Sequence, residues 1–161
     1  MKVLTLMVIS IAATALGLVI AGQAGFLAGE PPQGLGVKDG RLSAPSQTPN
    51  SVSSQADLYP DHLQKDYANI RPLAFSGNAD AAMSKLLQLL QKTERVVVVK
   101  HTSNYIYVQF STAILQFTDD VEFMLDTNQQ VIHLRSASRI GRNDFGVNRA
   151  RMESIRARFA N

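Results

Sequence analysis

After Met1-Lys2 the chain runs from Val3 to Leu27 with only Thr5, Ser10, Thr14, Gln23 and a few glycines among its apolar residues. A helix rises 1.5 Å per residue, so about 20 residues cross a hydrocarbon core ~30 Å thick. A helix also satisfies its own backbone, which lipid demands. The apolar core of a signal peptide usually has ~7–15 residues, fewer than this run, so the favoured reading is an uncleaved membrane anchor through residues 3–27. The competing reading is a signal peptide cut among the small residues near Ala21 and Ala24. Lys2 ahead of the run is weakly opposed by Lys38 and Arg41 behind it, which favours an inside N-terminus. The expected address is therefore the inner (cytoplasmic) membrane with the domain facing the periplasm, or, after cleavage, the periplasm or medium.

The anchor distorts the bulk composition. Of 161 residues 45% are apolar, yet 20 of these fall in the first 28 positions. The remainder is only about 39% apolar, below the ~45–50% of a globular domain. One small domain fits in what is left. The chain has no cysteine, which excludes disulfides, thiolate zinc sites, thiol nucleophiles and acylated lipoprotein anchors.

Three regions follow: 1–28, the anchor or signal; 29–69, a lead-in rich in Pro, Gly, Ser and Gln; and 70–161, an α+β domain. The lead-in holds Pro31, Pro32, Pro45 and Pro49 and has little to bury. Ile70–Phe75 reads as a strand. Asn78 or Asp80 then caps a helix carrying Ala82, Met83, Leu86, Leu87, Leu89 and Leu90. Strand patterns occupy 95–100 and 104–110 and continue through 112–117, 121–125 and 131–138, with turns at 111–112, 118–120 and 127–130. A last helix starts near Asp144. The expected fold is an antiparallel sheet of about five strands with two helices on one face, in the order strand–helix–four strands–helix.

Alternation assigns the two faces. Ile106, Val108, Phe110, Leu115, Phe117, Val121, Phe123, Leu125, Ile132 and Leu134 belong under the helices. The other face carries Tyr105, Tyr107, Gln109, Gln116, Asp120, Glu122, Met124, His133 and Arg135. A turn at Asn128-Gln129 sets Glu122 opposite Arg135 and Met124 opposite His133. Either this is an ordinary solvated sheet face or a concave, aromatic-edged surface for a ligand with apolar and charged parts. On the second reading the candidate ligand-binding residues are Tyr105, Tyr107, Asp120, Glu122, His133, Arg135 and Arg139.

Three stretches carry a family resemblance: Leu35–Leu42 continuing to Pro49–Gln55; Asp119-Asp120-Val121-Glu122-Phe123; and Ile132–Arg139, followed by Gly141, Asp144, Gly146, Asn148, Arg149 and Arg151. Over roughly 34–159 the chain resembles the domain of unknown function 1499 family of bacterial envelopes and plant plastids. That resemblance implies a hydrophobic or lipoprotein leader and no established activity. It also implies that Pro49–Gln55 docks on the domain. Members often carry two cysteines ahead of the Val-Ser-Ser motif, where this chain has Ala44 and Ser51, so no shared activity can depend on a thiol there.

Chemical motifs are sparse. Asp119, Asp120 and Glu122 fall short of the ~6–8 oxygens that calcium takes, and His62, His101 and His133 lack zinc spacing. There is no Gly-x-Ser-x-Gly elbow, P-loop or dinucleotide fingerprint, so neither a metal nor a cofactor is implied. Seven arginines follow Leu134; nucleic acid as their partner conflicts with the anchor. Arg139 and Arg149 are expected instead to pair, structurally, with Asp120 or Asp144. The favoured function is non-enzymatic binding of a lipid-like ligand or another envelope protein. The alternative is an enzyme acting on an envelope metabolite or lipid through His133, Arg135, Glu122 and Asp120.

Overall fold

Strict alternation in two neighbouring strands fixes the interior. In the computed structural model, which describes residues 2–160, Ile106 and Val108 on one strand and Val121 and Phe123 on the next are all essentially inaccessible. The elements are α1 (Lys2–Gln23), β1 (Ser51–Ser53), a 3-10 turn (Ala56–Leu58), α2 (Lys65–Ala68), β2 (Leu73–Ala74), α3 (Ala79–Gln91), β3 (Val96–His101), β4 (Tyr105–Ser111), β5 (Thr118–Asp126), β6 (Val131–Ser138) and α4 (Val147–Ala160). The sheet is antiparallel, in the order β1-β6-β5-β4-β3, with β2 also pairing with β6. Helices α3 and α4 share one core with its apolar face through Met83, Leu86, Leu90, Met152, Ile155 and Phe159. The Asn78 side chain accepts from the Ala81 N–H at 2.9 Å and so starts α3.

The α+β architecture and its face assignment stand, with four differences of detail. The sheet has six strands, the extra one being Ser51–Ser53, which pairs with Arg135–Ala137. The strand expected over 70–75 shrinks to Leu73–Ala74, because Pro72 has no N–H to give a ladder. Residues 112–117 form a connection, so Leu115 and Phe117 lie outside the core cluster, and Thr118-Asp119-Asp120, read as a turn, opens β5. Adjacent acids are poor strand formers and good turn formers. Here each is matched from elsewhere: Arg151 grips Asp119 on one face and Arg139 grips Asp120 on the other. Finally, α4 begins at Val147 rather than near Asp144, whose carboxylate accepts from the Gly146 and Asn148 N–H groups, both at 3.0 Å. Gly141 and Gly146 have φ of 94° and 82°, a region that other residues resist.

α1 is 22 residues long, with a mean hydropathy of 2.6 in its most apolar window and none of that window buried. It is about 33 Å in length, long and apolar enough to cross a bilayer.

Candidate functional site

The polar face of the sheet is covered, contrary to the open surface expected from alternation. Residues 34–59 cross it as a strap. Asp39-Gly40, both at positive φ, close a two-residue turn in which Lys38 and Arg41 exchange backbone hydrogen bonds at 2.9 Å. The turn delivers Leu42 onto Tyr105, Tyr107 and Met124, with Leu35 beside it, forming a second apolar cluster. Gln55 accepts from the Leu42 N–H at 2.8 Å, and Tyr59 donates to the Leu42 carbonyl at 2.8 Å. The Asp-Gly pair and the isolated Leu42 between polar neighbours were the sequence signals of this strap. Composition concealed them.

Beneath the strap the candidates form a chain of paired groups. The registers Glu122↔Arg135 and Met124↔His133 hold as expected. On β4, Tyr105 and Tyr107 lie opposite Met124 and Glu122, and each phenol leans one step diagonally along β5. Tyr105 donates to Glu122 Oε1 at 2.7 Å and Tyr107 to Asp120 Oδ1 at 2.5 Å. The Gly36 N–H also donates to Glu122 Oε1, at 2.6 Å, and Arg135 Nε donates to the Ala44 carbonyl at 3.1 Å, so the ion pair binds the strap from both ends. Arg139 grips Asp120 with two donors, at 2.8 and 2.7 Å, and reaches the Gly29 carbonyl at 3.2 Å. Glu122 is 0% exposed and Arg135 7%. Glu122 Oε2 and Arg135 Nη1 face each other at 3.7 Å with no hydrogen bond to either.

Burial, reinforced by Glu122 and Asp120 respectively, pushes both phenols up, so Tyr105 and Tyr107 stay protonated donors. Burial pulls the Arg135 guanidinium down, against the pull of Glu122. The Asp120 hydrogen bond holds Arg139 up. Asp120, Glu122, Tyr105, Tyr107, Arg135 and Arg139 therefore have their partners within the chain. Among the described residues no group of three or more His, Asp and Glu is arranged to hold a metal ion.

His133 stands apart, on the lip of a cleft. Ser54 Oγ lies 3.1 Å from its Nδ1, and Asp126 Oδ2 lies 3.7 Å from its Nε2. Sequence distance hid Ser54, because β1 brings it beside β6 from 79 positions away. Burial lowers the His133 pKa, against the pull of Asp126. A depressed imidazole contributes stability that is full above its unfolded pKa of ~6.5 and lost as pH falls through the folded value. Acidification from about pH 7.5 to about pH 5 should lower the urea midpoint, and His133→Gln should shrink that drop. An equal drop in both proteins would exclude His133 as the titrating group.

The third motif is architectural. The buried Asn148 side chain donates to the Asn50 carbonyl at 3.1 Å, to Ser138 Oγ at 2.9 Å and to Asp144 Oδ2 at 2.8 Å, and it accepts from Ser136. Burial works against the Asp144 charge, but hydrogen bonds from Tyr67, Asn148 and Gly146 hold its pKa below the usual range. Arg139 meets Asp120, one of the two acids expected for it. Arg149 instead donates to the Tyr67 and Asn69 carbonyls.

A family model described as "Protein of unknown function (DUF1499)" matches residues 41–159. The chain belongs to the DUF1499 family. No curated protein and no solved structure matches it. The DUF1499 match takes in Leu42, the Ser51–Gln55 motif, the sheet and α4, while α1 lies outside it. In this DUF1499 domain the motif residues named above mostly tie strap, sheet and final helix together.

Proposed function

We propose that this protein is a membrane-anchored, non-enzymatic binding module, with its domain outside the cytoplasm, that receives a charged segment of another envelope protein. The observation that carries this reading is a pair of clefts, about 390 and 320 Å³, on either side of the Lys38–Arg41 turn. Both share Asp39 and Arg41. One adds Lys38 and Tyr59, the other Asp57, Asp126 and His133. A lining of both charge signs with one phenol suits a polypeptide better than an acyl chain. Position supports the same partner. Asp126 and His133 lie near the β5–β6 hairpin, whereas α1 meets the connection at 113–115, next to the start of β5. Nine residues of β5 separate the two ends, roughly 27 Å, which carries the clefts away from lipid.

A photo-crosslinking residue placed at Arg41 or Asp57 in cells should give a discrete protein adduct, lost when the other position is charge-reversed. No adduct at either position, or equal adducts from Val99 on the edge strand, would overturn the reading. The full 17.6 kDa mass in a carbonate-washed membrane fraction is expected. A shorter soluble form would establish cleavage instead.

A second reading, hydrolysis, has one observation in its favour: Ser54, His133 and Asp126 share one cleft. Against it, Ser54 Oγ accepts the Leu134 N–H at 2.9 Å and so helps hold β6. A fluorophosphonate probe should leave Ser54 unlabelled; labelling abolished by Ser54→Ala would reverse the preference.

A further inference from the structure

The junction between α1 and the domain leaves almost no slack. Gln23, the last residue of α1, donates from Nε2 to the Ile114 carbonyl at 2.9 Å and to the Ala113 carbonyl at 3.5 Å. One residue earlier, a Cβ on Gly22 would sit 2.6 Å from the Leu115 carbonyl oxygen, so the helix backbone rests directly on the connection. Gly29 makes the third contact. It lies at φ +72°, a Cβ there would sit 2.8 Å from Arg139 Cβ and 2.9 Å from Ile140 Cγ1, and its carbonyl takes the Arg139 guanidinium. Two points of the segment 22–29 are thus fixed to the 112–117 connection and to the exit of β6. Strand register puts both at one end of the sheet, since Ser111 pairs with Thr118 and Asp119 with Ser138.

The helix length then sets the height of that end. About 33 Å of helix slightly exceeds a ~30 Å hydrocarbon core, so a span beginning at Lys2 brings Gln23 to the opposite lipid–water boundary. Ile114, bonded to Gln23, must lie at the same level. The side chains left exposed there suit that level: Phe26 (81%), Ile114 (62%) and Ile140 (45%). Apolar and aromatic groups of this kind are stable in the interfacial zone, dipping ~5–10 Å. The side chain of Gln23 satisfies the Ile114 carbonyl at that boundary, and Gln116 and Gln23 both donate to the Ala113 carbonyl.

We propose that the domain stands directly on the bilayer that α1 crosses, with the 112–117 connection and Ile140 embedded in the interfacial layer and the sheet projecting outward. The occupant of this apolar end is the membrane itself. The surface is continuous with the anchor, and the three contacts keep the domain from lifting away. The inference rests on the anchoring reading above.

The absence of cysteine makes single-site labelling direct. Full-length Ile114→Cys, Ile140→Cys and Asn128→Cys proteins carry a nitroxide in vesicles of phosphatidylethanolamine and phosphatidylglycerol. Labels at 114 and 140 should collide with oxygen several-fold more than with a water-soluble nickel chelate. Asn128, in the β5–β6 hairpin, should show the reverse ratio. Adding Gly22→Leu should leave the chain in the vesicles and shift the 114 ratio toward that of 128, with the unfolding midpoint of the domain unchanged. Ratios at 114 and 140 equal to that at 128, in protein that resists carbonate extraction, would overturn the docking and spare the anchor. Extraction by carbonate would overturn both.

Discussion

Glu122→Ala should lower unfolding stability by about 3–5 kcal/mol, read as a fall in the urea midpoint of the detergent-solubilised chain. Glu122 is fully inaccessible and faces Arg135, whose side chain is 9% exposed. Removing the carboxylate strands a buried guanidinium and deprives the Tyr105 hydroxyl and the Gly36 N–H of their acceptor. The strap should loosen with the pair, giving faster protease cleavage between residues 34 and 44. The double variant Glu122→Met/Arg135→Met should regain most of the loss, because a buried ion pair contributes little net stability over a packed apolar pair. A double variant as unstable as Glu122→Ala would show that the hydrogen bonds to Tyr105 and Gly36, rather than the stranded charge, dominate. A single variant within about 1 kcal/mol of the parent would contradict the burial of the pair.

Arg139→Ala is the second large effect, again about 3–5 kcal/mol. Asp120, 1% exposed, would keep the Tyr107 hydroxyl and lose the guanidinium that grips it with two donors. Arg139→Lys should recover only part of this, since an ammonium cannot reproduce two parallel donors and also reach the Gly29 carbonyl. The signature that separates Arg139 from Arg135 is location. Loss of Arg139 should expose the segment after α1 to protease, whereas loss of Arg135 should expose the strap at Ala44. Identical digestion patterns would refute the separate tethering roles.

The face assignment was legible from apolar alternation in 106–110, 121–125 and 131–134, and the β5–β6 register from a turn centred on Asn128-Gln129. Arg139 was legible as a residue for buried pairing, with Asp120 and Asp144 both open as its partner, and it meets Asp120. Three things were not. Thr118-Asp119-Asp120 looks like a turn until the distant arginines that neutralise it are in place. The strap is built from residues whose composition signals an extended linker, and its single buried leucine carries no periodicity. The company of His133 depends on Ser54, which only the β1–β6 pairing brings near. Each miss is a non-local contact overriding a local preference.

The sheet order also constrains how the polypeptide is made. Its first strand enters the sheet beside its last, β1 on β6, and the arginines that grip Asp119 and Asp120 at the start of β5 come from residues 151 and 139. Until the residues from Val131 onward have emerged from the ribosome, the strap has no edge to join and Asp119 and Asp120 have no counter-charge. Such late closure disfavours folding before synthesis is complete. On the anchored reading proposed above, that delay keeps the domain open while the N-terminal helix enters the bilayer ahead of it.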